Sequence, residues 1–82
     1  MQIEDNPVSK HEVSRADCKT KLQFCRKRKA LTQRDLAKLA RVNLRTLQGY
    51  EQGRKQINKA SWDIVSRLAD VLGVDPKDIL EE

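Results

Sequence analysis

The 82-residue chain holds two cysteines, two prolines, three glycines and one histidine, and its aromatics are a single Phe, Tyr and Trp. Each scarcity excludes something. Three glycines leave no glycine-rich phosphate loop. Cys18 and Cys25 read as two positions on one helix face, about 10 Å apart along the axis. That is too far for one zinc ion or a disulfide, so buried, reduced thiols are expected and His11 completes no metal site. His11 has no partnered nucleophile and neither cysteine sits beside a base, so the expectation is a protein without catalytic activity, cofactor or metal. Three aromatics give little material for stacking single-stranded nucleic acid. No apolar run approaches the length of a membrane span and nothing resembles a signal peptide, so no membrane partner and a cytoplasmic placement are expected. No stretch alternates apolar and polar residues over a useful length, which argues against strands.

Charge is what the sequence has in quantity. The formal net charge is +5 and the pI about 9.5, a balance that favours an anionic partner. The length fits one small domain whose core supplies about 3–5 kcal/mol of net stability, with no room for a second folded unit or a deep cofactor pocket.

A helix leaves its first N–H groups unpaired, so its start favours a capping side chain with a hydrophobic clasp around it. Five such starts can be read. Ser14 would cap with Val13 meeting Cys18 and Asp17 in a capping box, and Thr32 with Leu31 meeting Leu36 and Asp35 in the box. Asn43 would cap with Val42 meeting Leu47, and Asn58 with Ile57 meeting Trp62. Asp75 would cap with Val74 meeting Ile79, Asp78 in the box and Pro76 at the first helical position. These starts predict helices over 15–29, 33–40, 44–51, 59–72 and 76–81, with Gly53 and Gly73 in left-handed positions past two of the ends. Residues 1–12 read as a flexible N-terminal arm and 13–82 as the folded domain, although a cap between Ser9 and Glu12 would start the first helix earlier.

The stretch LTQRDLAKLARVNLRTLQGYEQG breaks an amphipathic helix, with Leu36, Ala37, Leu39 and Ala40 on one face, and restarts it within three residues. A cap at Asn43 directly after Ala40 forces a steep turn, the geometry of a helix-turn-helix. Leu36, Ala40, Val42, Leu47 and Tyr50 would pack the two helices, and small Ala37 would let them approach closely. Leu44, Arg45, Thr46, Gln48 and Gly49 would then face solvent.

At these residues the sequence resembles the phage-repressor and Cro-like, or lambda repressor-like, helix-turn-helix family. The matching text is LTQRDLAKLARVNLRTLQGYEQGRK, then IVSRLADVLGV and DPKDIL, with CRKRKALTQ leading in, over residues 17–81. The resemblance implies an all-α, compact five-helix DNA-binding domain, commonly a transcriptional repressor working as a homodimer on double-stranded DNA. It places Leu44, Arg45, Gln48 and Gly49 at the base-reading face. Gln33, Asn43, Arg54 and Lys55 fall at phosphate-binding positions, Arg41 and Thr46 are expected to add phosphate contacts beside them, and Arg26 and Glu51 fall at a structural ion pair tying the first helix to the third. Gln33 would also brace the recognition helix. Ala30 and Arg41 depart from the pattern, standing where the family often has glycine. The span from Gly53 to Gly73 is long for such a domain, which suggests an extra turn on the fourth helix.

Several residues carry two readings. Arg45 and Gln48 are solvated helix residues or readers of guanine and adenine. Leu44 belongs to the core or meets a thymine methyl, and Gly49 marks a close approach of DNA or another helix, or is merely tolerated. Trp62 reads as core or interface, and Val74, Ile79 and Leu80 as dimer interface or core. The CRKRK run, with Lys19 and Lys21, is a solvated face adding a diffuse positive field, and Asp78, Glu81 and Glu82 gather negative charge away from it. A rival class remains open, an antitoxin or coactivator-type module with a protein partner held by the arm or by the face around Trp62.

Overall fold

The structure is a computed structural model that describes residues 13–81. The arm over 1–12, with His11, and Glu82 lie outside the described residues. A 3-10 turn at Arg15–Asp17 leads into α1 (Lys21–Arg28), α2 (Gln33–Ala40) and α3 (Leu44–Gln52). A second 3-10 turn (Ile57–Lys59), α4 (Trp62–Leu72) and a third 3-10 turn (Pro76–Asp78) complete the described chain, which contains no strand. The described residues are therefore all-α, with four α-helices rather than the expected five.

The middle of the molecule forms by the expected local chemistry. Thr32 accepts from the Asp35 N–H at 3.0 Å while the Asp35 carboxylate accepts from the Thr32 N–H, closing the capping box of α2. Asn43 Oδ1 accepts from the N–H groups of Arg45 and Thr46 and starts α3 immediately after α2 ends. Three helix ends share one closing device. The N–H groups of Leu31, Val42 and Val74 reach back five residues to the carbonyls of Arg26, Ala37 and Ala69, each across a left-handed residue. At the end of α4 that residue is Gly73, but at the other two it is Ala30 (φ 61°) and Arg41 (φ 58°). A side chain in that conformation costs about 1–2 kcal/mol. Ala30 is exposed, so Ala30→Gly should raise the melting temperature. A gain of about 1 kcal/mol corresponds to a shift of roughly 4–8 °C in a domain of this size, readable by thermal denaturation followed by circular dichroism.

Corrections fall on both flanks. The helix expected over 15–29 is split. Ser14 caps only one 3-10 turn, Cys18 is extended, and Thr20 caps the true helix. Thr20 wins because its hydroxyl does two things at once, accepting from the Gln23 N–H and donating to the Glu51 carbonyl at 3.1 Å. Cys18 therefore shares no helix face with Cys25, and both thiols are free and half-buried rather than buried. Burial, reinforced by the Asp78 carboxylate, pushes the Cys25 thiol above its ordinary pKa.

The helix expected over 59–72 starts three residues later, at Trp62, with Ser61 accepting from the Ile64 N–H. The extra length before it is the separate turn at Ile57–Lys59. Asn58 does not cap; its side chain binds both the N–H and the carbonyl of Glu81. With the cap moved, Trp62 points outward and is 67% exposed, whereas Ile57 enters the core alone. Leu39, expected on the packed face of α2, is also exposed. The last element is a single 3-10 turn instead of a helix over 76–81, although Asp78 does accept from the Asp75 N–H.

The core centres on the fully buried Leu22, Leu36, Leu47, Leu68 and Ile79, one from each α-helix and one from the C-terminal segment. Around them lie Ala37, Ala40, Val42, Tyr50, Val65, Ala69 and Leu72, with Val74 and Leu80 packed at the margin. Ile79 is thus core rather than interface. α2 packs on both α3 and α4, which holds α3 against a fixed platform.

Candidate nucleic-acid interface

α3 is anchored by a buried charge. The Glu51 carboxylate, fully buried at the end of α3, receives Arg26 Nε at 2.6 Å and Nη2 at 3.0 Å. Arg26 Nη1 donates to the Leu31 carbonyl at 2.7 Å, so the guanidinium of α1 also holds the turn into α2. Gln33 Nε2 supplies a further donor to Glu51 Oε1 at 3.0 Å. Every interaction a buried carboxylate needs is present.

That arrangement dictates the orientation of two amides. An ionised carboxylate can only accept, so Gln33 must turn its NH2 group toward Glu51 and its carbonyl oxygen away. The oxygen accepts from Gln48 Nε2 at 3.3 Å. A continuous chain of donors and acceptors thus runs from Arg26 in the core to Gln48 on the outer side of α3.

Arg45 is exposed and its side chain has no partner among the described residues. Gln48 and Thr46 are half-buried, and Leu44 packs partly against the core. Arg45, Gln48, Gly49, Arg54 and Lys55 line one open concavity of about 460 Å³. Three of these five are cationic and none is acidic. Asn43 is exposed, but its Oδ1 is occupied by the α3 cap, which leaves its NH2 group as the donor for an outside ligand. Gln33 joins the set through Gln48, whereas Arg41 and Thr46 lie outside the concavity lining.

Gly49 differs from its expected place on the solvent face, because it is buried. The stem of Lys55 lies over it, and a Cβ built on Gly49 would meet Lys55 Cγ and Cδ at 3.1 Å.

A residue missed in the sequence holds the turn. Arg67 of α4 donates from Nε to the Ala40 carbonyl at 2.8 Å and from Nη2 to the Arg41 carbonyl at 3.3 Å, and pairs with Asp63 one turn earlier. It satisfies carbonyls at the end of α2 and so supports the left-handed Arg41. The spacing of Asp63 and Arg67 was legible as a helix pair; the longer reach to α2 had no local signal.

The sequence profile of the helix-turn-helix domain matches residues 20–81, from the cap of α1 to the last described residue. The chain belongs to the helix-turn-helix domain family. No curated protein and no solved structure matches it. Helix-turn-helix domains of this family bind DNA, and the matched span includes α2 and α3, two short helices joined by a three-residue turn. Among the described residues no helix is long and apolar enough to cross a membrane, and no group of three His, Cys, Asp or Glu could hold a metal ion.

Proposed function

We propose that the chain is a sequence-specific regulator of transcription, of the phage-repressor and Cro-like kind, that acts as a repressor without catalytic activity. α3 enters the major groove of double-stranded DNA. Arg45 and Gln48 read base edges, while Gln33, Arg41, Asn43, Thr46, Arg54 and Lys55 grip phosphates. The observation that carries this reading is the pairing of an unpartnered Arg45 with a Gln48 oriented from the core, on the rim of an acid-free cationic concavity. Free arginine suits guanine, and an amide that donates one N–H to Gln33 still offers its carbonyl oxygen and its second N–H to adenine. One such helix reads few base pairs, so a homodimer on a two-fold site is part of the proposal.

The test is binding to the duplex upstream of its own gene, against a scrambled duplex, by fluorescence anisotropy at several salt concentrations. Preference of about a thousandfold or more is the expected result. Equal, weak binding with the same steep salt dependence would leave only non-specific electrostatic attachment.

A second reading, an antitoxin or coactivator-type interaction module, is favoured by Trp62 and Leu39, the two exposed large apolar side chains among the described residues. A stable partner that co-purifies, and without which DNA selectivity is lost, would select it.

A further inference from the structure

Gly49 sits in the interior of a nine-residue helix, where glycine is less favourable than alanine. Its backbone does not explain its presence: the positive-φ residues among those described are Ala30, Arg41, Gly53 and Gly73. The reason is space. α3 closes differently from the other helices, because the Lys55 N–H reaches back six residues to the Gly49 carbonyl at 3.1 Å. This extra wrap, across the left-handed Gly53, lays the Lys55 stem over the bare Cα of Gly49. Lys55 is consequently an exposed cation with a packed stem, on the same concavity as Arg45, Gln48 and Arg54.

We infer that Gly49 is a positioning residue for Lys55: it touches no DNA, and it seats the lysine stem so that the ammonium is held as a phosphate ligand beside the base-reading side chains. This rests on the DNA-binding reading above and assigns Gly49 a role opposite to direct contact with a base. A lysine with a free stem surrenders side-chain entropy when it binds a phosphate, and one already laid along the helix surrenders less. A methyl group at position 49 meets only flexible methylenes, so the stem is pushed out of its seat by a few tenths of an ångström and the fold is kept.

The experiment is a double-mutant cycle on the full chain, using a mixed-sequence DNA duplex as the probe and the dependence of affinity on salt as the readout. Lys55→Met keeps an apolar stem and removes the charge. It should make the negative slope of log K against log salt shallower by about 0.9, the loss of one phosphate contact. Gly49→Ala should lower affinity and move the slope in the same direction while leaving the melting temperature unchanged or higher. In the Lys55→Met background, Gly49→Ala should change neither affinity nor slope. If Gly49→Ala instead weakens binding equally in both backgrounds, Gly49 meets DNA directly and the inference is overturned. An unchanged slope in Gly49→Ala overturns it as well. Wild-type protein that binds no duplex in a salt-dependent manner would remove the DNA-binding reading itself, a result distinct from either.

Discussion

Glu51→Ala leaves about half of the molecules unfolded at room temperature. The carboxylate it removes is fully buried and satisfies three donors, two from Arg26 and one from Gln33. Arg26 is itself only 8% exposed and retains just its contact with the Leu31 carbonyl. Stranding a buried charge in this way costs about 3–5 kcal/mol. A domain of this length has about that much stability in total, so the loss is comparable to the whole. Urea titration followed by far-ultraviolet circular dichroism measures it. The companion double substitution Arg26→Met with Glu51→Leu should recover most of the loss, because apolar side chains of similar volume can replace a buried pair with little penalty. A Glu51→Ala cost below about 1 kcal/mol would mean that the pair behaves like an exposed one, and the anchoring of α3 would need another source.

Arg45→Ala separates recognition from folding. The side chain is exposed and bonded to nothing described, so the melting temperature should not move. Loss of a bidentate arginine–guanine contact costs about 1–3 kcal/mol of discrimination. Binding to the preferred duplex should therefore fall roughly 5- to 150-fold, with little change on scrambled DNA. Anisotropy titrations on the two duplexes decide it. A uniform loss on both, with the salt slope reduced by about one contact, would make Arg45 a phosphate ligand instead of a base reader.

The centre of the molecule was legible because its signals are local and agree with one another. Thr32 with Asp35, the cap at Asn43 and the glycines at 53 and 73 each act within a few residues, and the apolar spacing of Leu36, Ala40, Val42, Leu47 and Tyr50 points to the same packing. The flanks misled because each offers two caps within a few residues, and a clasp pattern cannot rank them. Thr20 prevails over Ser14 through the carbonyl of Glu51, and Ser61 over Asn58 because Asn58 is engaged by Glu81. Both decisions are made by residues distant in sequence. Trp62 followed from the same error, since moving a cap by three residues rotates the first turn and turns a core side chain outward.

The site was read less completely. Cationic and amide residues of α3 could be placed by helical spacing together with the family resemblance. The seat of Lys55 on Gly49 could not, because it depends on how the chain folds back after Gly53. Nor could Arg67, whose bonds to Ala40 and Arg41 cross from α4 to α2 and leave no periodic mark.

Glu81 has a consequence for the protein as it is being made. Its carboxylate accepts from the N–H of Lys21 at 2.7 Å, and its backbone is clasped by Asn58. The first turn of α1 thus receives one of its partners from the far end of the domain. While the chain is still emerging from the ribosome, α1 through α4 can assemble around Leu22, Leu36, Leu47 and Leu68, but Ile79 and this closing bond are still missing. Until residues 79–81 have docked, one edge of the domain stays open.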